Sequence, residues 1–205
     1  MMARFALLIR DQRAAGAAEF GLVLPLLILF LFGIIDVGRY MWALNTAEKA
    51  TQMGVRYAVV SDPVAAVIDT DFVDDFGIPG GDAVPEDTFE EAICTNTGDC
   101  TVTGDANGVS GRNPAAFDAI VAWMQLFEPD IQPANVRIIY RNVGLGYSGD
   151  PTGPDIAPLT TVELTDLQFR SLVLFGRSLD MPVINASLTL EDGECSVTGD
   201  CGSSN

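Results

Sequence analysis

The chain has 205 residues, 48% of them hydrophobic, with 28 acidic against 11 basic side chains, a net charge of −17 and no histidine. The missing histidine excludes Ser-His-Asp and Cys-His catalysis and the His-containing zinc sites. The acidic excess repels nucleic acid, whose recognition requires Lys and Arg to neutralise phosphates.

In chain order, Arg4, Arg10 and Arg13 precede an apolar run, FGLVLPLLILFLFGII, from Phe20 to Ile35. Extended back through Ala14–Ala18 and interrupted only by Glu19, the run matches the roughly 20 apolar residues that one helical membrane crossing needs. A cleavable signal has a shorter core ending in a small-residue cleavage site. Here Asp36, Gly38, Arg39 and Tyr40 continue the helical pattern, so a retained anchor is expected. Basic flanks stay cytoplasmic, and from residue 41 onward 25 acidic residues face 7 basic ones, which places the body outside the cytoplasm.

Past the membrane edge, Val37, Tyr40, Met41, Leu44, Ala47, Thr51, Val55, Ala58 and Val59 recur at steps of three and four until Pro63. One helix of roughly 70 Å from Ala14 to Val60 follows, kinked at Pro25, its first half in lipid and its second laid on the body. The organisation read from this is a basic cytoplasmic leader at 1–14, a transmembrane helix at 15–36, its soluble continuation at 37–62 and an extracytoplasmic α+β domain at 63–205.

Within that domain, residues 64–76 read as an acidic amphipathic stretch with Val64, Val67, Ile68, Phe72 and Phe76 on one side. Pro85 opens a short helix over 86–94, and 95–112 reads as an irregular surface loop. Asn113-Pro114 starts a helix whose buried face is Phe117, Ile120, Val121, Met124 and Phe127. The period then changes to two in three strands, 135–143, 159–166 and 183–191, which implies an antiparallel sheet with one buried side. Between them, 144–158 is a Gly/Pro loop, and the apolar segment 167–181 (Leu172, Val173, Leu174, Phe175) reads as a short helix or a docking loop.

Four cysteines form two matched loops, CTNTGDC at 94–100 and CSVTGDC at 195–201. An even count at matched spacing in an extracytoplasmic domain reads as disulfides. Of the three connectivities, the local pairs Cys94–Cys100 and Cys195–Cys201 are preferred; the rival, a four-cysteine metal site, has tighter usual spacing. Asp36 and Arg39 read as an interfacial ion pair marking where the helix leaves lipid. The acids Asp69, Asp71, Asp74, Asp75, Asp82, Glu86 and Asp87, or Asp99, Thr103, Asp105 and Asn107, offer oxygens to calcium but lack EF-hand spacing. They read first as a solvated acidic surface, so no metal and no cofactor is expected.

The stretch from Arg10 to Val60 resembles the TadE-like family of pseudopilin, or pilus-assembly, proteins. The residues that carry the likeness are R-D-Q-R-A-A-G-A-A-E-F-G-L-V-L-P, then Gly33, Asp36, Gly38 and Arg39 at the end of the apolar run, then Gly54, Arg56, Tyr57 and Ala58. The resemblance implies a pilin-like α+β fold, a long N-terminal helix on a small antiparallel sheet. It implies a structural role without catalysis in a bacterial tight-adherence type IV pilus system. The partners implied are the inner membrane, other pilins and pseudopilins, pilus-assembly proteins and a prepilin peptidase. Counting back from Glu19 as the fifth mature residue, followed by Phe20, puts the scissile bond between Ala14 and Ala15, where this chain has Ala instead of Gly. Glu19 would then meet the positive mature N-terminus of an adjacent subunit. Gly16, Ala17, Ala18, Gly21 and Gly33 would let neighbouring helices approach closely. The alternative reading is a membrane-anchored periplasmic module that binds calcium or a surface ligand.

Overall fold

The computed structural model describes residues 12–150, 153–172 and 176–190. Helix α1 runs Gln12–Ala58 with Pro25 inside it. A 3₁₀ turn at Ala66–Asp69 and helix α2, Phe72–Phe76, follow. Strands β1 (Glu91–Cys94) and β2 (Thr101–Thr103) precede helix α3, Pro114–Gln125. The chain then forms β3 (Val136–Arg141), β4 (Leu159–Leu164), β5 (Gln168–Arg170), β6 (Ser178–Asp180) and β7 (Ile184–Thr189). This is an α+β arrangement with a long N-terminal helix and a small antiparallel sheet. The described residues fall into two compact units, one holding those up to Ala43 with those of Gln168–Leu179, the other holding those of Leu44–Leu167 and from Asp180 on.

The larger unit is built on a five-stranded sheet in the order β2-β1-β3-β4-β7, antiparallel throughout. Registers Ala92↔Tyr140, Tyr140↔Thr160 and Thr160↔Leu188 line one face, with Cys94, Ile138, Val162 and Ala186 in the next row. The two-residue side-chain period sends these residues to one side and their neighbours to the other. One core joins that face to Ala47, Ala50, Val55 and Ala58 of α1 and to Phe117, Ile120, Val121 and Met124 of α3. The far face is polar: Arg137 pairs with Glu163 at 2.9 Å, Arg141 with Glu91 at 2.8 Å, and Thr161 with Ser187 at 2.8 Å. Such cross-strand pairs on the outer face, exposed or partly buried, fix register more than they stabilise.

Helix α3 starts where its cap predicts: the Asn113 side chain accepts from the Ala116 amide at 3.1 Å, with Pro114 in the first turn. Three expectations need correction. The segment 86–94 is not a helix; Thr88 and Phe89 amides both return to the Pro85 carbonyl in a single turn, and Glu91–Cys94 is a strand paired with β3. A turn so short gains no helical cooperativity, whereas β3 offers a full ladder to Ile93 and its neighbours. The loop 95–112 contains β2, where β-branched Thr101-Val102-Thr103 suits a pleated edge. In the segment 167–181, Gln168–Arg170 and Ser178–Asp180 are the strands β5 and β6, with Gly176 at φ +80, whereas Val173, Leu174 and Phe175 lie outside the described residues.

The stretch 64–76 buries Val64, Val67, Ile68 and Phe72, as its pattern implies, but in two pieces. Asp71 interrupts it by capping α2, accepting from the Val73 amide at 2.9 Å and the Asp74 amide at 3.1 Å. The Gly/Pro loop at 144–158 is organised by one buried carboxylate. Asp155 accepts from the amides of Phe72 and Gly149, each at 2.8 Å, and of Asp150 at 3.1 Å.

Candidate functional site

From Gly16 to Ile35 the first half of α1 is apolar but for Glu19 and, among the described residues, mostly exposed. Leu22 is 80% exposed and Phe30 68%. Leaving a single large apolar side chain in water forfeits about 1.5–3 kcal/mol, so a rod of them needs an apolar medium or partner. The helix is long and apolar enough to cross a membrane by length and composition, with a window mean hydropathy of 2.6. Glu19 and Phe20 lie on the exposed surface of this rod, and Ala14 and Ala15 are helical.

Where the apolar run ends, one carboxylate gathers several partners. Asp36 is 8% exposed. Its Oδ1 accepts from Arg39 Nη1 at 3.0 Å, the i,i+3 pair that helical spacing implies. Its Oδ2 accepts from the Ser171 hydroxyl at 2.6 Å and the Leu172 amide at 2.7 Å. Arg39 also reaches the Arg170 carbonyl at 3.4 Å, and its guanidinium lies 5.2 Å above the Phe169 ring. Tyr40 meets the same ring edge-on at 5.4 Å. The sequence pairs Asp36 with Arg39, but it does not disclose Phe169, Ser171 or Leu172. Their signal is the apolar stretch 167–181, which carries no readable period. Charge-assisted bonds of this kind are about twice as strong as neutral ones, so Asp36 is a fastening point that ties the β5–β6 hairpin to the helix.

Cys94 and Cys100 are joined, with Cα atoms 4.3 Å apart, across the turn between β1 and β2. Cys195 and Cys201 lie outside the described residues. Replacing both Cys94 and Cys100 with serine is expected to lower stability by about 2 kcal/mol, since a short loop constrains the unfolded chain modestly. Urea unfolding of the double variant against the parent, without reductant, measures this.

Among the described residues no group of three or more acidic or cysteine side chains is arranged to hold a metal. Asp71 of the acidic run serves as a helix cap, as above. Asp69 of the same run is half-buried, and one of its oxygens has no hydrogen-bond partner among the described residues. Burial first, and the charge of Asp62 second, lift its pKa from 3.8 to about 6. Nearby, the fully buried Tyr140 hydroxyl accepts from the Val64 amide at 3.0 Å; burial keeps this phenol protonated well above its usual range.

A carboxyl whose folded pKa exceeds its unfolded one binds its proton more tightly in the native state. Its stabilisation is complete below the unfolded value of 3.8 and is lost as pH rises through about 6. Asp69→Asn is therefore expected to flatten the pH dependence of stability across that window. Near neutral pH it should add about 1 kcal/mol, allowing for solvent screening of a half-buried group, or ~2–4 °C in Tm. Thermal unfolding of parent and variant at about pH 4 and about pH 7 compares the two slopes.

The helix and its fastening point coincide with the match to known proteins. No curated protein and no solved structure matches the chain. The family model described as TadE-like protein matches residues 14–56, the span that holds Glu19, the apolar rod, Asp36, Arg39 and Gly54. Over residues 14–56, about a fifth of the chain, the protein is therefore similar to TadE-like proteins.

Proposed function

We propose that this protein is a TadE-like minor pseudopilin or pilus-assembly protein of a bacterial tight-adherence type IV pilus system. It sits in the inner membrane as a single-pass protein, with a cytoplasmic N-terminus and a periplasmic α+β body. Its role is structural: α1 associates with like helices, and no chemistry is performed. The observation that carries this reading is that the family match, residues 14–56, falls on the exposed apolar rod and its membrane-edge carboxylate. On this reading Asp36 and Arg39 mark the outer edge of the bilayer, and a prepilin peptidase acts on the cytoplasmic side between Ala14 and Ala15. That cleavage leaves Glu19 at the fifth mature position. A carboxylate within the membrane is costly unless it has a partner, and the new amino terminus of an adjacent subunit supplies one.

Two measurements on protein from its native host test this. Intact mass is expected to show removal of residues 1–14. Crosslinking from the exposed face of α1, at Leu22 for example, is expected to capture other pilin-like or assembly proteins of the system. Recovery only as an uncrosslinked monomer, in cells that assemble the pilus, would overturn the proposal.

A further inference from the structure

We propose that the surface formed by Arg170, Leu172, Arg177 and Leu179, on and next to β5 and β6, is a second membrane contact, resting on the outer leaflet beside α1 and taking anionic phospholipid headgroups. The inference rests on the membrane anchoring read above for α1. Three observations carry it. First, the hairpin is held level with the end of the apolar run: the Leu172 amide lies 2.7 Å from the carboxylate of Asp36, the residue directly after Ile35. Second, it exposes apolar side chains. Leu172 is 55% exposed and Leu179 is 42% exposed, while Phe169 fills the contact with Arg39 and Tyr40. Third, its charge is opposite to the body's. From Gln168 to the end of β6 the sequence has Arg170 and Arg177 against Asp180 alone, although the chain beyond residue 40 has 25 acids to 7 bases. Both arginines are exposed, and no salt bridge joins either to an acid among the described residues.

A strongly acidic body is repelled by an anionic leaflet, so a basic patch at the membrane edge is the place where it can settle. Basic residues at such a surface gain from the headgroup charge within a Debye length. Their aliphatic stems and a neighbouring Leu can lie in the interface while the guanidinium groups stay with phosphate. The backbone supports such a presentation: the Ser171 amide donates to the Arg177 carbonyl at 3.1 Å, and the Gly176 amide to the Ser171 carbonyl at 2.9 Å. These bonds join the described ends of the two strands while Ser171 and Leu172 are held to Asp36.

The test uses the full chain in vesicles, with Leu172→Trp as a reporter in a Trp42→Phe, Trp123→Phe background. Vesicles are phosphatidylcholine alone or mixed with phosphatidylglycerol, with acyl chains brominated close to the headgroup. The reporter is expected to shift to the blue and be quenched by bromine in the mixed vesicles, more than in phosphatidylcholine alone. Arg170→Glu with Arg177→Glu should abolish the part that depends on anionic lipid, and Arg170→Lys with Arg177→Lys should keep it. An unquenched reporter in mixed vesicles overturns the proposal, as does quenching indifferent to both lipid charge and charge reversal. A reporter shielded from aqueous iodide yet untouched by bromolipid also overturns it, because another protein surface then covers the hairpin. Alkaline carbonate extraction of the same vesicles separates the two readings: release of the chain means that the anchor itself has failed, whereas retention confines any failure to the hairpin.

Discussion

Replacing Gly54 with leucine is expected to destabilise the body by about 3 kcal/mol, equivalent to a fall in Tm of ~6–12 °C. A glycine inside a helix costs about 1 kcal/mol relative to alanine, so this one is kept for a reason other than helix formation. The reason is distance: a Cβ at Gly54 would sit 2.7 Å from both Cγ and Sδ of Met124 on α3. Met124 is wholly buried and cannot swing into solvent. Around the contact, Tyr57 stacks on Trp123 at 5.4 Å and Thr46 hydrogen-bonds Glu128, so α1 is held to α3 and to the segment just after it. Gly54→Ala should cost less, because the flexible thioether of Met124 can yield part of the space. Gly38 provides the contrast, having no heavy atom within 4 Å of where its Cβ would be. Gly38→Ala should leave thermal unfolding in detergent unchanged or slightly raised. Equal losses at Gly54 and Gly38 would show that helix approach is not what the first glycine serves.

That contrast also shows what one sequence can and cannot disclose. Both glycines belong to the stretch that resembles TadE-like proteins, yet only the fold tells which one meets a neighbour. Patterns long enough to repeat were readable. The three-and-four spacing from Tyr40 to Val59, the Asn113-Pro114 start of α3 and the alternation in β3, β4 and β7 all correspond to elements in the structure. Short strands were not readable: β1, β2, β5 and β6 have three or four residues each, too few for a period to emerge. Their identity comes from partners elsewhere in the chain, as when Ile93 pairs with Ile139. Asp36 divides in the same way. Its bond to Arg39 is local and follows from helical spacing, whereas its bonds to Ser171 and Leu172 span 135 and 136 residues. Asp155, buried and bonded to three amides, gave no sign of its role in a loop rich in Gly and Pro.

The long-range half of the Asp36 cluster should dominate its energetics. Asp36→Ala is expected to raise hydrogen exchange at the Leu172 amide by about 100-fold, because that amide and the Ser171 hydroxyl lose a charged acceptor worth ~1.5–3 kcal/mol to each. Asp36→Asn retains a carbonyl oxygen but not the charge, and about 10-fold is expected. Arg39→Gln removes the ion pair, the 3.4 Å bond to the Arg170 carbonyl and the contact over Phe169, all made by a guanidinium that is 44% exposed; about threefold or less follows from the small worth of solvent-screened pairs. The order of the three variants is the informative result. A surface ion pair at the membrane edge would lose the same amount whichever partner was removed, and the hairpin would not register either loss. A buried carboxylate that fastens β5 and β6 to α1 responds strongly to its own removal and weakly to the loss of Arg39. Exchange of the peptide spanning Leu172, followed by mass spectrometry in detergent or lipid, reads the order directly. Equal effects for Asp36→Ala and Arg39→Gln would reduce Asp36 to a simple ion-pair partner.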